Sequence, residues 1–131
     1  MTSHKVKIDE VEFECEEGDT ILRGALRAGL ALPYECNSGG CGSCKFELLE
    51  GEIDDLWENA PGLSERDHKK GRKLTCQCIP TDDCSIKLRM SNETQPDNKP
   101  VKGKATLYKI NKLTDDMAEF CFKTEHAANF Q

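Results

Sequence analysis

The sequence predicts an α+β fold, a mixed sheet crossed by one helix and followed by the first strands of an incomplete second β unit. Three observations carry this. Short segments that alternate apolar and polar residues recur between residues 5 and 90, bounded by Gly, Pro, Asp or Asn. One segment, Ile21 to Ala28, has helical periodicity instead. After Ser91 the composition turns polar, with Asn92, Pro96, Asn98 and Pro100, and β patterning returns only after Gly103.

The elements follow in order. Lys5 to Ile8 and Val11 to Cys15 read as strands around an Asp9-Glu10 turn. Val6, Ile8, Val11, Phe13 and Cys15 share their core face. Asp19 or Thr20 is placed to cap the helix, because a short side-chain oxygen there accepts from a first-turn amide. Ile21, Leu22, Ala25 and Leu26 form its apolar face, Arg23 and Arg27 lie outside, and Gly29 ends it. Lys45 to Leu49 reads as a strand, turned at Glu50-Gly51-Glu52 and followed by an acidic excursion through Trp57. Ala60-Pro61-Gly62 breaks the chain. Ser64 caps a short helix from Glu65 to Lys70, which Gly71 stops. Lys73 to Cys78 reads as one strand and Pro80 to Asp83 as a turn. Ser85 to Met90 is the closing strand, with Ile86, Leu88 and Met90 on one face. In the tail, Ala105 to Ile110 and Met117 to Lys123 read as strands about a turn at Leu113 to Asp116. Two strands bury no core alone. The expected division is a domain over 1–90, an exposed linker over 91–102, and the opening of another domain over 103–131.

Between the first helix and the strand at Lys45 lies the stretch that carries chemistry. It reads Cys36-Asn37-Ser38-Gly39-Gly40-Cys41-Gly42-Ser43-Cys44, a C-x4-C-x2-C spacing, and Cys76 follows 32 positions after Cys44. Three thiolates on one loop and a fourth from a distant strand form the plant-type pattern for a [2Fe–2S] cluster. Such a cluster is anionic and gains charge on reduction, so backbone amides aimed at its sulfurs offset the charge and tune the potential. Gly39, Gly40 and Gly42 are expected to let the backbone approach and take positive φ. Cys76 and Cys78 are two apart and would share one strand face, so the spacing leaves them in competition for the fourth position.

The remaining totals exclude more than they select. Hydrophobic residues are 37% and charged residues 32%, and no apolar run approaches a membrane span. The first 14 residues have no apolar core of a secretory signal, which predicts a cytoplasmic protein. Eight cysteines in that compartment argue for metal rather than disulfides. Cys15, Cys78, Cys84 and Cys121 are expected to be small buried apolar residues. Net charge is −6, and residues 1–90 hold 18 acidic against 12 basic side chains. Glu47, Glu50, Glu52, Asp54, Asp55 and Glu58 crowd a stretch with no base between Lys45 and Arg66. That disfavours nucleic acid and suits a basic protein partner, although each carboxylate alone reads as ordinary solvated surface. Structural zinc usually takes two close cysteine pairs, and here only Cys41 and Cys44 form one. A thiol-redox C-x-x-C would open a helix, whereas a strand follows Cys44. His4, His68 and His126 are scattered and read as surface residues. Tyr34 and Trp57 are either loop neighbours, partner contacts or core. No catalytic constellation stands out.

Pro33-Tyr34-Glu35 leading into the cysteine loop, together with Leu74-Thr75-Cys76-Gln77-Cys78, Trp57 and Ala60-Pro61-Gly62-Leu63, resembles the N-terminal ferredoxin domain of bacterial oxygenase reductases, of the toluene and xylene monooxygenase type. The resemblance covers residues 5 to 90. It implies a β-grasp ferredoxin-type fold and a cluster held by Cys36, Cys41, Cys44 and Cys76, the first of the competing pair. It implies one-electron transfer at a potential on the order of −400 mV. It also implies an NAD(P)H-dependent parent in which a flavin (FAD) barrel and a nicotinamide domain follow, so residues 103–131 resemble the first barrel strands. FAD and NAD(P)H belong to that longer parent, and the chain is expected to be a piece of it. Its partners would be redox proteins, a flavin domain as donor and a hydroxylase, oxygenase or its carrier as acceptor, with no membrane and a monomeric state. A free-standing ferredoxin and a cluster-bearing structural or regulatory module without turnover remain the alternatives.

Overall fold

The computed structural model describes residues 2–90 and 97–127. It contains two compact units, Met1–Lys99 and Pro100–Gln131. In the first unit β1 (Ser3–Ile8) and β2 (Val11–Glu16) form a hairpin, with Asp9 at φ 53° in the turn. Helix α1 spans Ile21–Arg27, and Thr20 is the residue that caps it, its hydroxyl accepting from the Arg23 amide at 3.3 Å. β3 (Lys45–Glu50), β4 (Ile53–Asp55), α2 (Glu65–Lys69), β5 (Arg72–Leu74), β6 (Cys78–Pro80) and β7 (Cys84–Lys87) follow.

The main sheet has the order β2-β1-β7-β3-β5. Only β1 and β7 run parallel; the other neighbours are antiparallel. β4 and β6 pair separately. One sheet face and α1 bury Val6, Ile8, Phe13, Cys15, Ile21, Leu22, Phe46, Leu74 and Ile86 almost completely. Each large side chain removed from water this way stabilises the fold by about 1.5–3 kcal/mol. Gly24 lets the helix lie against β2, since a Cβ there would meet Cys15 Sγ at 2.8 Å.

Several expectations change. Val11 shares the phase of Phe13 and Cys15, yet it is 38% exposed because it sits beside the hairpin turn, past the end of the core. The acidic excursion contains β4, whose pairing with Cys78–Pro80 gives it order. The closing strand stops at Lys87, and Leu88 and Met90 pack on the core without ladder bonds. Lys73 to Cys78 is not one strand. β5 ends at Leu74, Thr75–Gln77 makes one 3-10 turn, and β6 starts at Cys78.

In the second unit β8 (Ala105–Lys112) and β9 (Ala118–Thr124) form an antiparallel hairpin. Leu107, Tyr108, Ile110, Phe120 and Phe122 are all exposed on it. No closed barrel occurs among the described residues. Of the predicted linker, residues 91–96 lie outside the described residues, and 97–104 carry neither helix nor strand.

Candidate metal centre

The cysteine loop runs from the end of α1 to the start of β3. Its outer half is solvated and its inner half is buried: Cys36 and Cys41 are exposed, while Cys44 and Cys76 are each 4% exposed. The main-chain amides turn inward onto sulfur. Ser38 and Cys41 donate to Cys36 Sγ at 3.4 and 3.3 Å, and Ser43 donates to Cys41 Sγ at 3.4 Å. The Ser38 hydroxyl, then the Ser38 and Cys41 amides, pull the Cys36 thiol down to about 6. The Ser43 hydroxyl first, with backbone amides, lowers the Cys41 thiol below its ordinary value. The two serines were not singled out from sequence; their signal is a hydroxyl two residues after a loop cysteine.

The 3-10 turn delivers Cys76 to the inner half. The Thr75 amide donates to the Cys44 carbonyl at 2.9 Å, and the Cys76 and Cys44 thiols become hydrogen-bond neighbours. Gln77 Nε2 lies 3.7 Å from Cys76 Sγ, and the Gly39 amide also reaches that sulfur. Burial, then the Cys44 thiol, pushes Cys76 up to about 11. Binding of a metal there must displace the proton. Cys78 sits elsewhere. It is fully buried beside Asp55, Lys73 and Leu74, and burial first, then the Asp55 charge, raises its thiol strongly.

The loop is held from outside by the Ala60-Pro61-Gly62 turn. The Gly62 amide donates to the Gly39 carbonyl at 2.9 Å. A Cβ on Gly42, which has φ 76°, would lie 2.3 Å from the Gly62 carbonyl oxygen. From sequence Gly62 reads as a chain breaker and as part of the motif that carries the resemblance; in the fold it is the surface against which the loop closes. Gly40 departs from expectation: it is not in the positive-φ region, and its Cβ would meet nothing within 4 Å. Asn37 takes the left-handed turn instead, at φ 51°. Trp57 is neither core nor remote. It is 44% exposed, and its ring lies against Gly39. Tyr34, also 44% exposed, lines an open groove of about 780 Å³ with Leu26, Leu30, Ser43 and Met90.

The arrangement presents four thiols as two neighbouring pairs, Cys36 with Cys41 and Cys44 with Cys76. No three of these sulfurs lie within 4.8 Å of one another, a spread that suits two metal ions better than one. A single tetrahedral zinc needs its ligand atoms mutually close, at about 2.3 Å from the metal for sulfur. Among the described residues the one trio of ligand atoms within 4.8 Å of one another is His4, Asp82 and Asp83. Both carboxylates there are exposed, and they accept the Lys5 and Asp83 amides at 2.8 Å, which accounts for the cluster as a turn. A further observation favours a sulfur-rich guest. Thr75 Oγ1 is buried next to Cys76 with no hydrogen-bond partner among the described residues. A buried hydroxyl without a partner is costly, and an anionic sulfur is an acceptor. The donor set therefore fits a two-iron, two-sulfide centre.

Of the other cysteines, Cys15 and Cys84 are buried as expected, with burial pushing their thiols to about 12 and about 11. Cys121 is only half-buried, in β9. Of the acidic stretch, Asp55 pairs with Lys73 at 3.1 Å and Glu47 with Arg72 at 3.6 Å, while Glu50, Glu52, Asp54 and Glu58 are exposed. No helix among the described residues is long and apolar enough to cross a membrane.

Comparison with known proteins agrees with this geometry. Residues 5–81 match the family model of the 2Fe-2S iron-sulfur cluster binding domain. The chain is 43% identical over 129 residues to the ferredoxin–NAD(P)(+) reductase CarAd of Metapseudomonas resinovorans, covering 97% of this chain and 39% of that protein. It is 36% identical over 108 residues to the xylene/toluene monooxygenase electron transfer component XylA of Pseudomonas putida, covering 82% of this chain and 30% of that one. Among solved structures, the ferredoxin reductase in carbazole 1,9a-dioxygenase matches 98% of this chain and 40% of its own, at 40% identity and a TM-score of 0.82. The chain thus spans less than half the length of these relatives.

Proposed function

The chain belongs to the 2Fe-2S iron-sulfur cluster binding domain family, and from that premise we propose that it is the electron-transfer module of an NAD(P)H-dependent FAD/[2Fe–2S] reductase that feeds an oxygenase or hydroxylase. When bound, the cluster supplies reversible one-electron chemistry. The chain supplies the rest. Cys36 and Cys41 would hold the outer iron, and Cys44 and Cys76 the inner one. The observation that carries this ligand set is the 3-10 turn at Thr75–Gln77, with Cys76 beside Cys44 and Cys78 turned toward Asp55. The Ser38, Cys41 and Ser43 amides would offset charge on the sulfurs, which favours the reduced state. Exposure of Cys36 and Cys41 leaves one edge of the site open to a redox partner.

In this reading residues 1–90 are the ferredoxin domain, 91–102 the linker, and 103–131 the start of a flavin-binding barrel. The relatives' names and lengths support a longer parent, in which FAD and NAD(P)H would be bound. Its partners would be a flavin domain as electron donor and an oxygenase or its small carrier as acceptor, in a monomeric, cytoplasmic protein. The exposed apolar side chains of the β8–β9 hairpin support further strands covering it.

Anaerobic reconstitution with iron and sulfide tests the site. The expected product is red-brown, bleaches with dithionite, and in the reduced state gives the electron paramagnetic resonance (EPR) signal of one unpaired spin per two irons. A colourless protein that binds one zinc and no sulfide would overturn it. Reduction by a flavoprotein reductase with NADH, at a rate that supports turnover, tests the electron path.

A further inference from the structure

We infer that Asp67 is a positioning residue for the metal centre, fixing the inner sulfur pair through the two strands that lead to it. The inference rests on the ligand set proposed above. Asp67 lies in α2, and its side chain is 3% exposed. A five-residue helix needs no buried carboxylate for itself; a capping box works equally well in solvent. Yet this carboxylate is fully engaged. Oδ2 accepts the Ser64 amide and hydroxyl at 2.8 Å each and the Lys45 ammonium at 2.8 Å. Oδ1 accepts Arg72 Nη1 at 3.1 Å.

The two cations come from the strands that matter. Lys45 is the first residue of β3 and follows Cys44 directly. Arg72 opens β5, which runs into Leu74-Thr75-Cys76. β3 and β5 pair with Lys45 opposite Leu74, and the Cys44 carbonyl then accepts the Thr75 amide. Asp67 therefore joins β3 at its cysteine end to β5 at its opening, four residues before Cys76. The Lys45 stem also covers the loop: its Cε would lie 3.1 Å from a Cβ on Gly42. Removing the carboxylate would take from Lys45, 37% exposed, its 2.8 Å partner and leave Arg72, 32% exposed, with Glu47 at 3.6 Å. The tie between Lys45 and β5 would be lost. The strands would splay, and Cys44 and Cys76 would move with them.

The test uses reconstituted protein with Asp67→Asn, Lys45→Met, the double variant, and Phe13→Leu as a control that weakens the core from β2, the strand at the far edge of the main sheet. Visible circular dichroism and EPR g values report sulfur geometry, and the rate of iron release to a chelator reports hold on the metal. Asp67→Asn and Lys45→Met should each change the spectra and release iron several-fold faster. The double variant should be no worse than the worse single, because both act through one contact. Phe13→Leu should lower the melting temperature and leave spectra and release rate unchanged. Native spectra and release in Asp67→Asn would overturn the proposal. Should Asp67→Asn hold no cluster, Lys45→Met decides by the same criteria. A wild-type chain that takes up no iron and sulfide sinks the ligand set as well, whereas a normal wild type with silent variants sinks this proposal alone.

Discussion

The amide of Thr75 donates to the carbonyl of Cys44 at 2.9 Å, so the residue before one buried cysteine is tied to the backbone of the other. That bond carries the β3–β5 register one residue further, and the 3-10 turn that begins at Thr75 sets Cys76 beside Cys44.

The first prediction follows from it. Cys76→Ser should abolish stable cluster binding. Cys78→Ser should retain a full complement of iron and sulfide, with a modest loss of stability for placing a hydroxyl in a fully buried pocket, about 1–3 kcal/mol. Iron and sulfide assay with absorbance in the visible checks both. Retention by Cys76→Ser together with loss in Cys78→Ser would reverse the assignment.

The Thr75 hydroxyl, without a partner among the described residues, supplies a second prediction. If it donates to a cluster sulfur, it stabilises the added charge of the reduced state. Thr75→Val keeps the shape and removes the donor, so the midpoint potential of the loaded protein should fall. A hydrogen bond worth about 1 kcal/mol corresponds to roughly 40 mV for a one-electron couple. Spectroelectrochemical titration reads the shift, and an unchanged potential would turn the hydroxyl away from the cluster.

Gly24 lies on the buried face of α1, where a Cβ would be 2.8 Å from Cys15 Sγ. Helix propensity alone favours Gly24→Ala by about 1 kcal/mol. Overpacking against Cys15 costs roughly 1–3 kcal/mol and should win. Urea denaturation should show net destabilisation, smaller in a Cys15→Ala background, where Sγ is gone but Cβ remains at 3.0 Å. Equal effects in both backgrounds would remove the steric explanation.

Asp67 also makes a pH prediction. The Lys45 ammonium, then the Ser64 amide, hold its carboxyl well below the ordinary carboxylate range. Its folded pKa is thus below the unfolded value of about 3.9, and the unfolded chain binds more protons in between. The stabilisation is complete above about pH 5 and is lost as pH falls through the unfolded value toward the folded one. The stability gap between wild type and Asp67→Asn should therefore be widest near neutrality and shrink below about pH 4. Unfolding followed by far-ultraviolet circular dichroism from pH 3 to 7 measures it; a gap independent of pH would mean the carboxylate charge contributes nothing.

Much of this site was legible because its signals are local. The loop spacing, the Thr20 and Ser64 caps, and the glycines after each helix act over a few residues, and the structure has them where the sequence puts them. The failures are tertiary. Leu74-Thr75-Cys76-Gln77-Cys78 alternates like a strand, but Thr75–Gln77 is a 3-10 turn packed against α1, a helix remote in sequence. Ile53-Asp54-Asp55 looks like acidic loop because its partner, Cys78–Pro80, is remote in sequence. Gly62 reads as a breaker, and nothing nearby in the chain announces that Gly42 will press against it. Asp67 was visible as a polar residue in a short helix, while its burial depends on two cations arriving from other strands.

The parallel pairing of β1 with β7 has a consequence for the order in which the molecule can be built. Val6 pairs with Cys84 and Ile8 with Ile86, and β7 is the middle strand of the sheet. All four proposed ligands lie inside the loop which that pairing closes. Long loops that close late make for slow, non-local folding. On the ribosome, the β1–β2 hairpin and the Cys36–Cys44 segment emerge well before the strand that joins the sheet's two halves. A chain released before residue 84 would carry every proposed ligand and yet lack the seam between β1 and β3. Iron delivered to the nascent chain would meet an open thiol loop, and closure of β7 would then fix the inner pair, Cys44 and Cys76, within the core.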